Sequence, residues 1–355
     1  MDDMARQTPD RSDAQNAYER IRQTVVRTPL MRSDQIDALT GARVWFKCEQ
    51  LQHTGSFKFR GASNAVALLP EDCPGVATHS SGNHGAALAF AARERGLSAD
   101  IVMPENAVQA KMEAVRRFGG RVHLCEPTQS AREQRLAELA ATGLAVIPPF
   151  DDARVIAGQA SCTFELLEQC PNLDVILASV GGGGLLAGAL LANTGHPSSP
   201  RSGSRPGHPS NSVGSAESGR TEVMGVPVLD ETMGVPVFGV EPEGADDTAR
   251  AFVSGQPPAE HHPQTMADGL RMQVGALNLA IIRDHAAGII TVTERQIVDA
   301  MVMIWTELKQ VVEPSGAVAL AGLLAKPAPF KGQQVGIILS GGNLDLAPKL
   351  RKWLE

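Results

Sequence analysis

A lysine lies between two phenylalanines in the segment HTGSFKFRG, residues 53–61, and glycines flank the three residues. Apolar neighbours disfavour the charged form of an amine, so they lower the pKa of Lys58 and leave part of it neutral. A neutral amine is a nucleophile that can form an imine with an aldehyde. Taken alone, the segment also fits a surface lysine beside the end of a strand, so the choice depends on the rest of the chain.

Four consecutive glycines, Gly181–Gly184, stand in the segment SVGGGGLLAG between a predicted strand and a predicted helix. The backbone amides of such a loop can converge on an anion, and the amino end of a helix favours negative charge. The GK[ST] ending of a Walker loop is missing. Gly182, Gly184 and Gly188 imitate part of a dinucleotide fingerprint, but the acidic residue expected about 20 positions later falls in a Ser/Gly/Pro-rich stretch. Close packing of a helix on a sheet is the remaining explanation of the glycines.

A phosphate-binding loop and a reactive lysine in one chain together suggest pyridoxal phosphate. This cofactor carries a phosphate for the loop and an aldehyde for the amine. The combination outweighs the explanation of Lys58 as a surface residue. The elements that carry the two segments must then bring them together.

Those elements alternate between short β-branched runs and helical patterns. The first series is strand 76–80, helix 83–96, strand 99–104, helix 107–118, strand 121–126, helix 130–140 and strand 144–148. The second series is helix 155–169, strand 174–180, helix 185–192, strand 235–241, helices 294–309 and 317–325, and strand 334–340. Thr293 and Gln296 form a capping box at the start of the helix predicted over 294–309. Such alternation is typical of parallel sheets covered by helices.

We therefore predict an α/β protein with two open parallel-sheet domains and a ligand cleft between them. Residues 1–74 and 151–355 form the large, cofactor-binding domain, and residues 75–150 form the small domain. A Ser/Gly/Pro-rich stretch at about 194–222 has almost nothing to bury, so we expect a mobile surface insertion there. The sequence MGVPV then occurs twice, nine residues apart, which is explained by a local duplication that lengthened a loop.

Bulk composition excludes several other functions. The 355 residues are 43% hydrophobic and 20% charged, and the formal charge is −7 without any long Lys/Arg block. These properties argue against a nucleic-acid or anionic-membrane partner. No stretch reaches the roughly 18 consecutive apolar residues of a membrane span, and the N-terminus lacks a signal-peptide core, so we expect a cytoplasmic protein. Five scattered cysteines without a CxxC pair argue against a disulfide framework or a zinc ribbon.

Six motifs give these features a common explanation. They are GSFKFRGA (55–62), SSGNHGAALA (80–89), SVGGGGLLAG (179–188), EPEGADD (241–247), EPSGAVALAG (313–322) and LSGGNLD (339–345). Their order resembles that of the fold type II, tryptophan synthase β-like, pyridoxal-phosphate enzymes. More narrowly, the chain from about residue 20 onward resembles the serine racemase and serine/threonine dehydratase family, including threo-3-hydroxyaspartate dehydratases. The resemblance implies a homodimer that takes a small amino-acid substrate.

The resemblance also implies which residues hold the cofactor. Lys58 would be joined to the aldehyde of pyridoxal phosphate, Phe57 would pack on its ring, and Asn83 would hydrogen-bond its 3-hydroxyl. Four glycines would hold its phosphate: Gly181, Gly182, Gly183 and Gly184. Ser340 would face the pyridine nitrogen. A neutral hydroxyl at that place weakens the electron sink, which suits β-elimination.

For the substrate, the resemblance implies contacts from the loop and helix start that follow the strand predicted at 76–80. These contacts come from Ser80, Ser81, Gly82 and His84. Ser81 stands where serine racemases have an acid–base group on the cofactor face opposite the lysine, and two opposed groups permit inversion at Cα. Arg132, in EPTQSAR, resembles a racemase arginine near the substrate, although an exposed helix arginine explains it equally well. If Arg132 faces the site, a substrate with a second carboxylate, such as 3-hydroxyaspartate, is favoured.

The segment EPEGADD resembles a divalent-cation site of the same family. Its ligands would be the carboxylates of Glu241 and Asp247 and the backbone carbonyl of Ala245. All-oxygen ligation favours Mg²⁺, Ca²⁺ or Mn²⁺. Two departures weaken the resemblance to racemases: Phe150 replaces an asparagine of the mammalian racemases, and Met272 replaces a serine that contacts substrate.

We therefore expect a pyridoxal-phosphate-dependent ammonia-lyase that converts serine, threonine or 3-hydroxyaspartate to a 2-oxo acid and ammonia. Serine racemase activity, alone or beside the lyase activity, is the first alternative. A β-replacement enzyme of the cysteine synthase type fits Ser81 and the EPEGADD segment poorly. A non-catalytic protein that binds pyridoxal phosphate is the last alternative.

Overall fold

The computed structural model describes residues 7–80, 82–195 and 234–346. Ser81 lies outside the described residues, as does the predicted insertion apart from residues 194 and 195. The first MGVPV copy and the first residue of the second copy also lie outside them. Within the described part of the chain, no helix is both long and apolar enough to cross a membrane.

The first elements carry the predicted reactive lysine. They are helix α1 (Arg11–Ile21), strand β1 (Leu30–Met31), helix α2 (Asp34–Thr40), strand β2 (Arg43–Cys48) and helix α3 (Lys58–Ala67). Helix α1 begins at a capping box in which Asp10 and Asp13 each accept a hydrogen bond from the other's backbone. Helix α3 begins at Lys58 itself. The sequence patterns had predicted no element before residue 76.

A smaller sheet takes its strands from the next part of the chain. The elements are β3 (Gly75–His79), α4 (Asn83–Glu94), β4 (Ser98–Pro104), α5 (Gln109–Arg117), β5 (Arg121–Cys125), α6 (Gln129–Ala140) and β6 (Ala145–Val146). The four strands are parallel, in the order β5-β4-β3-β6. Each was predicted within a few residues, although β6 is much shorter than the strand predicted over 144–148.

A larger sheet of six strands completes the fold. Its further elements are α7 (Ala153–Gln169), β7 (Val175–Ser179), α8 (Gly184–Asn193), β8 (Val237–Pro242), α9 (Asp247–Ser254), α10 (Ala276–His285), β9 (Gly288–Val292), α11 (Glu294–Met303), α12 (Pro314–Ala325) and β10 (Gln334–Leu339). The strand order is β1-β2-β10-β7-β8-β9, parallel throughout except for the short β1. The predicted Thr293–Gln296 capping box is confirmed, but α11 continues as a π-helical turn at Ile304–Leu308.

Helices cover both faces of the larger sheet. Ile176 and Ala178 of β7 pack in one apolar cluster with residues of α7 and α8. Val175 and Leu177, the alternate residues of the same strand, pack in a second cluster with residues of α11 and α12. A strand buried on both faces reads as a continuous apolar run, which is the pattern of β7. The predicted α/β fold with two parallel sheets is confirmed.

A buried network of charges fixes helix α3. Arg60, two residues after Lys58, is fully buried and donates hydrogen bonds to Glu49 Oε2 at 2.7 Å and to Glu165 Oε1 at 2.8 Å. Lys47 Nζ donates to the other oxygen of Glu165 at 2.6 Å. A buried charge is stable when it is both paired and hydrogen-bonded. The network ties α3 to β2 and α7, so the backbone that carries Lys58 is held in place.

Candidate active site

A cavity of about 900 Å³ lies where the carboxyl ends of strands from both sheets meet. His79 and Pro104, at the ends of β3 and β4, form part of its wall on the side of the smaller sheet. Ser179 and Ser340, at and after the ends of β7 and β10, form part of its wall on the side of the larger sheet. Ligands of open α/β sheets bind at such carboxyl ends.

Lys58 lies in this cavity at the start of α3. Its Nζ donates a hydrogen bond to the Pro149 carbonyl at 2.8 Å and lies 5.1 Å from the centre of the Phe57 ring. Exclusion of water lowers the pKa of Lys58 to about 8, and the Glu313 carboxylate opposes this shift. About a tenth of the amine is therefore neutral at pH 7, and about half of it at pH 8. The pKa of Lys58 is thus lowered, as its apolar sequence neighbours predicted.

The four glycines line the same cavity between β7 and α8. Gly183 has φ +93°, a left-handed conformation that side chains rarely adopt. A Cβ on Gly182 would stand 2.5 Å from the Phe150 ring, so a side chain does not fit there. Bare backbone next to the amino end of a helix is suited to bind an anion.

Three other predicted cofactor residues reach the cavity: Phe57, Asn83 and Ser340. Asn83 Nδ2 donates to Glu313 Oε1 at 2.6 Å, and Asn83 Oδ1 accepts from Asn343 Nδ2 at 2.9 Å. Ser340 Oγ donates to the Ser315 carbonyl at 3.3 Å. The structure thus brings these side chains into the same cavity as Lys58, and their contacts with a cofactor stay predictions.

Four of the predicted substrate residues line the cavity as well: Ser80, Gly82, His84 and Arg132. Ser80 Oγ accepts a hydrogen bond from the Gly82 amide at 3.3 Å. His84 Nε2 lies 3.0 Å from the Ile147 carbonyl, and burial, with a smaller effect of Lys58, lowers the pKa of His84 to about 3. His84 is therefore neutral at physiological pH. Arg132 is half-buried on α6, where its Nε donates to the Thr128 carbonyl at 3.2 Å.

Two charged features of the cavity were missed by the sequence analysis. Glu313 precedes α12 in the motif EPSGAVALAG, and burial raises the pKa of its carboxyl to about 7. Lys111 of α5 forms an ion pair with Asp268, which belongs to the larger part of the chain. The motif containing Glu313 was noticed, but no local pattern connects Glu313 with Asn83, and none connects Lys111 with Asp268.

The two carboxylates of the predicted cation site are fully buried, and Ala245 is 3% exposed. Glu241 Oε1 accepts from the Ala249 amide at 2.6 Å, and Asp247 Oδ2 accepts from the Val274 amide at 2.7 Å. Their second oxygens have no hydrogen-bond partner, although Asp247 Oδ1 lies 3.6 Å from His261 Nδ1. Burial raises the pKa of both carboxyls. Among residues 7–80, 82–195 and 234–346, no three His, Cys, Asp or Glu side chains form a metal-binding group. The two-carboxylate and carbonyl site stays a prediction.

Comparison with known proteins decides the family. The family model described as "Pyridoxal-phosphate dependent enzyme" matches residues 21–341. The chain belongs to this family. It is 41% identical over 341 residues to a β-hydroxyaspartate dehydratase of Paracoccus denitrificans, covering 95% of this chain and 97% of that protein. It is 39% identical to a serine racemase of Dictyostelium discoideum, covering 94% and 95%.

Solved structures agree with the family assignment. The enzyme matches maize serine racemase with a TM-score of 0.84 and 35% identity, covering 98% of both chains. It matches a threonine deaminase of T.th. with a TM-score of 0.81 and 37% identity, covering 96% of this chain and 100% of that chain. The predicted fold type II pyridoxal-phosphate architecture is confirmed.

The residues of the cavity fit pyridoxal phosphate. Lys58 offers an amine with a pKa of about 8, which suits an aldehyde. The glycine loop offers backbone amides at a place where a Cβ on Gly182 would collide with Phe150, which suits a phosphate. Both features lie on one cavity of about 900 Å³.

Proposed function

We propose that the enzyme is a hydroxy-amino-acid ammonia-lyase, with 3-hydroxyaspartate as its favoured substrate. Serine and threonine belong to the same substrate class. The observation that carries the proposal is one cavity in which Lys58 and the glycine loop of Gly181–Gly184 lie with Arg132. The relatives named β-hydroxyaspartate dehydratase and L-threo-3-hydroxyaspartate ammonia-lyase support it.

Pyridoxal phosphate, when bound, withdraws electrons from the Cα of an attached amino acid and makes its Cα proton acidic. Lys58 Nζ is the group that would hold the cofactor aldehyde and, when free, accept this proton. Its pKa of about 8 lies close to the working pH, which is where a general base is most effective. Neutral Ser340 would meet the pyridine nitrogen, and Asn83 would meet the 3-hydroxyl.

The cavity also has two places for carboxylates. The loop of Ser80 and Gly82 leads into the amino end of α4, which favours an anion such as the α-carboxylate of the substrate. Arg132 lines the wall on the same side. Burial lowers the pKa of His79, and the positive charge of Arg132 adds a smaller effect in the same direction. A planar guanidinium binds a carboxylate through two parallel hydrogen bonds. Arg132 would therefore hold the second carboxylate of 3-hydroxyaspartate.

Three further assignments belong to this proposal. The segment around Glu241, Ala245 and Asp247 would bind Mg²⁺, Ca²⁺ or Mn²⁺, because a cation would satisfy the two buried carboxylate oxygens that lack hydrogen bonds. Residues 75–150 would form a small domain around the smaller sheet, with the remainder of the chain forming the large domain. The enzyme would be a cytoplasmic homodimer without a nucleic-acid or membrane partner.

The experiment measures 2-oxo acid and enantiomer from L-serine, D-serine, L-threonine and the 3-hydroxyaspartate isomers, with Mg²⁺ present. Arg132→Gln should raise KM for 3-hydroxyaspartate by about 10- to 100-fold and leave serine little changed, because one charge-assisted pair is lost. Arg135→Gln is the matched control, since Arg135 lies on the same helix and pairs with Glu138. Equal losses for both substrates would refute the role of Arg132, and no 2-oxo acid from any substrate would refute the lyase.

Serine racemase activity is the second candidate. It is favoured by the serine racemases among the relatives and by the serine at position 81. Ser81→Ala should abolish interconversion of L- and D-serine and leave production of 2-oxo acid in place. Unchanged interconversion in that variant would contradict the assignment of Ser81.

A further inference from the structure

The carbonyl of Gly182, in the glycine loop, accepts two hydrogen bonds from one neighbouring segment. Asn278 Nδ2 donates to it at 2.7 Å, and the Gly275 amide donates to it at 3.2 Å. Asn278 lies on α10 and is fully buried. The direction of this one carbonyl is therefore set by two donors of the same segment, of which the Asn278 side chain makes the shorter bond.

The direction of the carbonyl decides where the next amide points. In a trans peptide the C=O and the following N–H point in opposite directions, and the described residues contain no cis peptide. Asn278 lies directly behind the loop, because a Cβ on Gly183 would stand 2.7 Å from the Cβ of Asn278. With the Gly182 carbonyl held toward α10, the Gly183 N–H points away from α10. Gly182 and Gly183 both line the cavity.

The other half of the Asn278 amide shows why this residue is an asparagine. Its Oδ1 is buried without a hydrogen-bond partner. An unpaired buried oxygen destabilises the fold, whereas a leucine of similar size has no such oxygen. If the Asn278 amide were turned over, its Oδ1 would face the Gly182 carbonyl oxygen, and two acceptors repel each other. The atom that faces this carbonyl is therefore Nδ2. The group of Asn278 that orients the glycine loop is therefore its Nδ2–H, which donates to the Gly182 carbonyl.

The backbone of Asn278 is itself held firmly. The Asp151 carboxylate accepts from the amides of Ala276, Leu277 and Asn278 at 3.1, 2.8 and 3.2 Å. Asp151 has φ +53°, a left-handed conformation that costs free energy at a residue other than glycine. The first turn of α10 is thus fixed to the segment that follows the smaller sheet, close to the Pro149 carbonyl that binds Lys58.

We propose that Asn278 is a positioning residue for the cofactor phosphate. Its amide turns the Gly182–Gly183 peptide so that the Gly183 N–H faces the phosphate. The inference rests on one part of the proposed function, namely that the glycine loop binds the cofactor phosphate.

The test measures the dissociation constants of pyridoxal phosphate and of pyridoxal, which lacks the phosphate, for the apoprotein of the wild type and of Asn278→Leu. Pyridoxal phosphate should bind about five- to tenfold more weakly to the variant, because the Gly183 N–H no longer points at the phosphate and that one hydrogen bond is lost. Pyridoxal binding should stay the same. The thermal midpoint of the apoprotein should not fall, because the unpaired Oδ1 is removed. If this variant does not fold, Asn278→Ala carries the same comparison.

The matched control is Asn193→Leu at the far end of α8. Asn193 is also buried, but its amide bonds to Val235 through both Nδ2 and Oδ1. Its loss should lower the thermal midpoint and leave the ratio of the two dissociation constants unchanged. An unchanged ratio in the Asn278 variants would overturn the inference alone. A wild type that binds both compounds equally would overturn the phosphate site, and the inference with it.

Discussion

Replacing Glu313 by Gln should remove a pH dependence of stability that the buried carboxylate creates. Glu313 is 3% exposed, and burial raises the pKa of its carboxyl from 4.5 to about 7. The folded protein therefore keeps a proton that the unfolded chain releases between these two values. Stability must fall as the pH rises through this interval, and the loss is complete above pH 7.

The size of the effect follows from the shift. One pKa unit corresponds to about 1.4 kcal/mol, so the rise to about 7 amounts to roughly 3 kcal/mol of unfolding free energy. Glutamine keeps the oxygen that accepts from Asn83 Nδ2 and does not titrate. The change therefore removes the titration and leaves that hydrogen bond in place.

The assay is denaturant unfolding of the apoprotein at pH 4.5 and pH 7.5, for the wild type and for Glu313→Gln. Between the two conditions the wild type should lose roughly 3 kcal/mol more than the variant. Glu307→Gln, which changes an exposed glutamate of the π-helical turn, is the matched control and should behave as the wild type. The same loss in the wild type and in Glu313→Gln would refute the raised pKa of Glu313.

Three further predictions test other parts of the structure, one with pH and two with substitutions. Pyridoxal phosphate should attach to the apoprotein at a rate that rises with pH through about 8, because only neutral Lys58 reacts. The attached product is trapped with borohydride, and equal rates at pH 6 and pH 9 would contradict the lowered pKa of Lys58. Gly182→Ala should lower the unfolding free energy by about 1–3 kcal/mol, and adding Phe150→Leu should recover part of it, since the new Cβ meets that ring. Glu165→Gln should lower the free energy of unfolding by about 3–5 kcal/mol, because buried Arg60 loses a charged partner. A decrease below about 1 kcal/mol in denaturant unfolding would show that the charge network is dispensable.

The parts of the fold that the sequence predicted are those with local signals. The strand predicted over 76–80 and the helix predicted over 83–96 exist because an apolar β-branched run and a helical pattern each depend on neighbouring residues. Strand β9, GIITV, carries the same β-branched signal and was within reach of this reasoning. Strand β6 was predicted too long, since its length depends on the two residues that pair with β3.

The candidate site divides in the same way. Lys58 and the glycine loop could be predicted because the chemistry of each lies within a few consecutive residues. The contact between Asn83 and Glu313 joins residues 230 positions apart, and that between Lys111 and Asp268 joins residues 157 positions apart. Only the folded chain brings such groups together, so a raised pKa of Glu313 could not be read from its neighbours in sequence.

The place of β10 has a consequence for synthesis of the protein. This strand, Gln334–Leu339, is the last described strand in the chain, yet it lies inside the larger sheet between β2 and β7. Until the ribosome has released it, the edges of β2 and β7 that will bind it remain unpaired, and such edges promote aggregation. A premature stop before residue 334 therefore leaves the larger sheet split into two parts rather than one strand shorter.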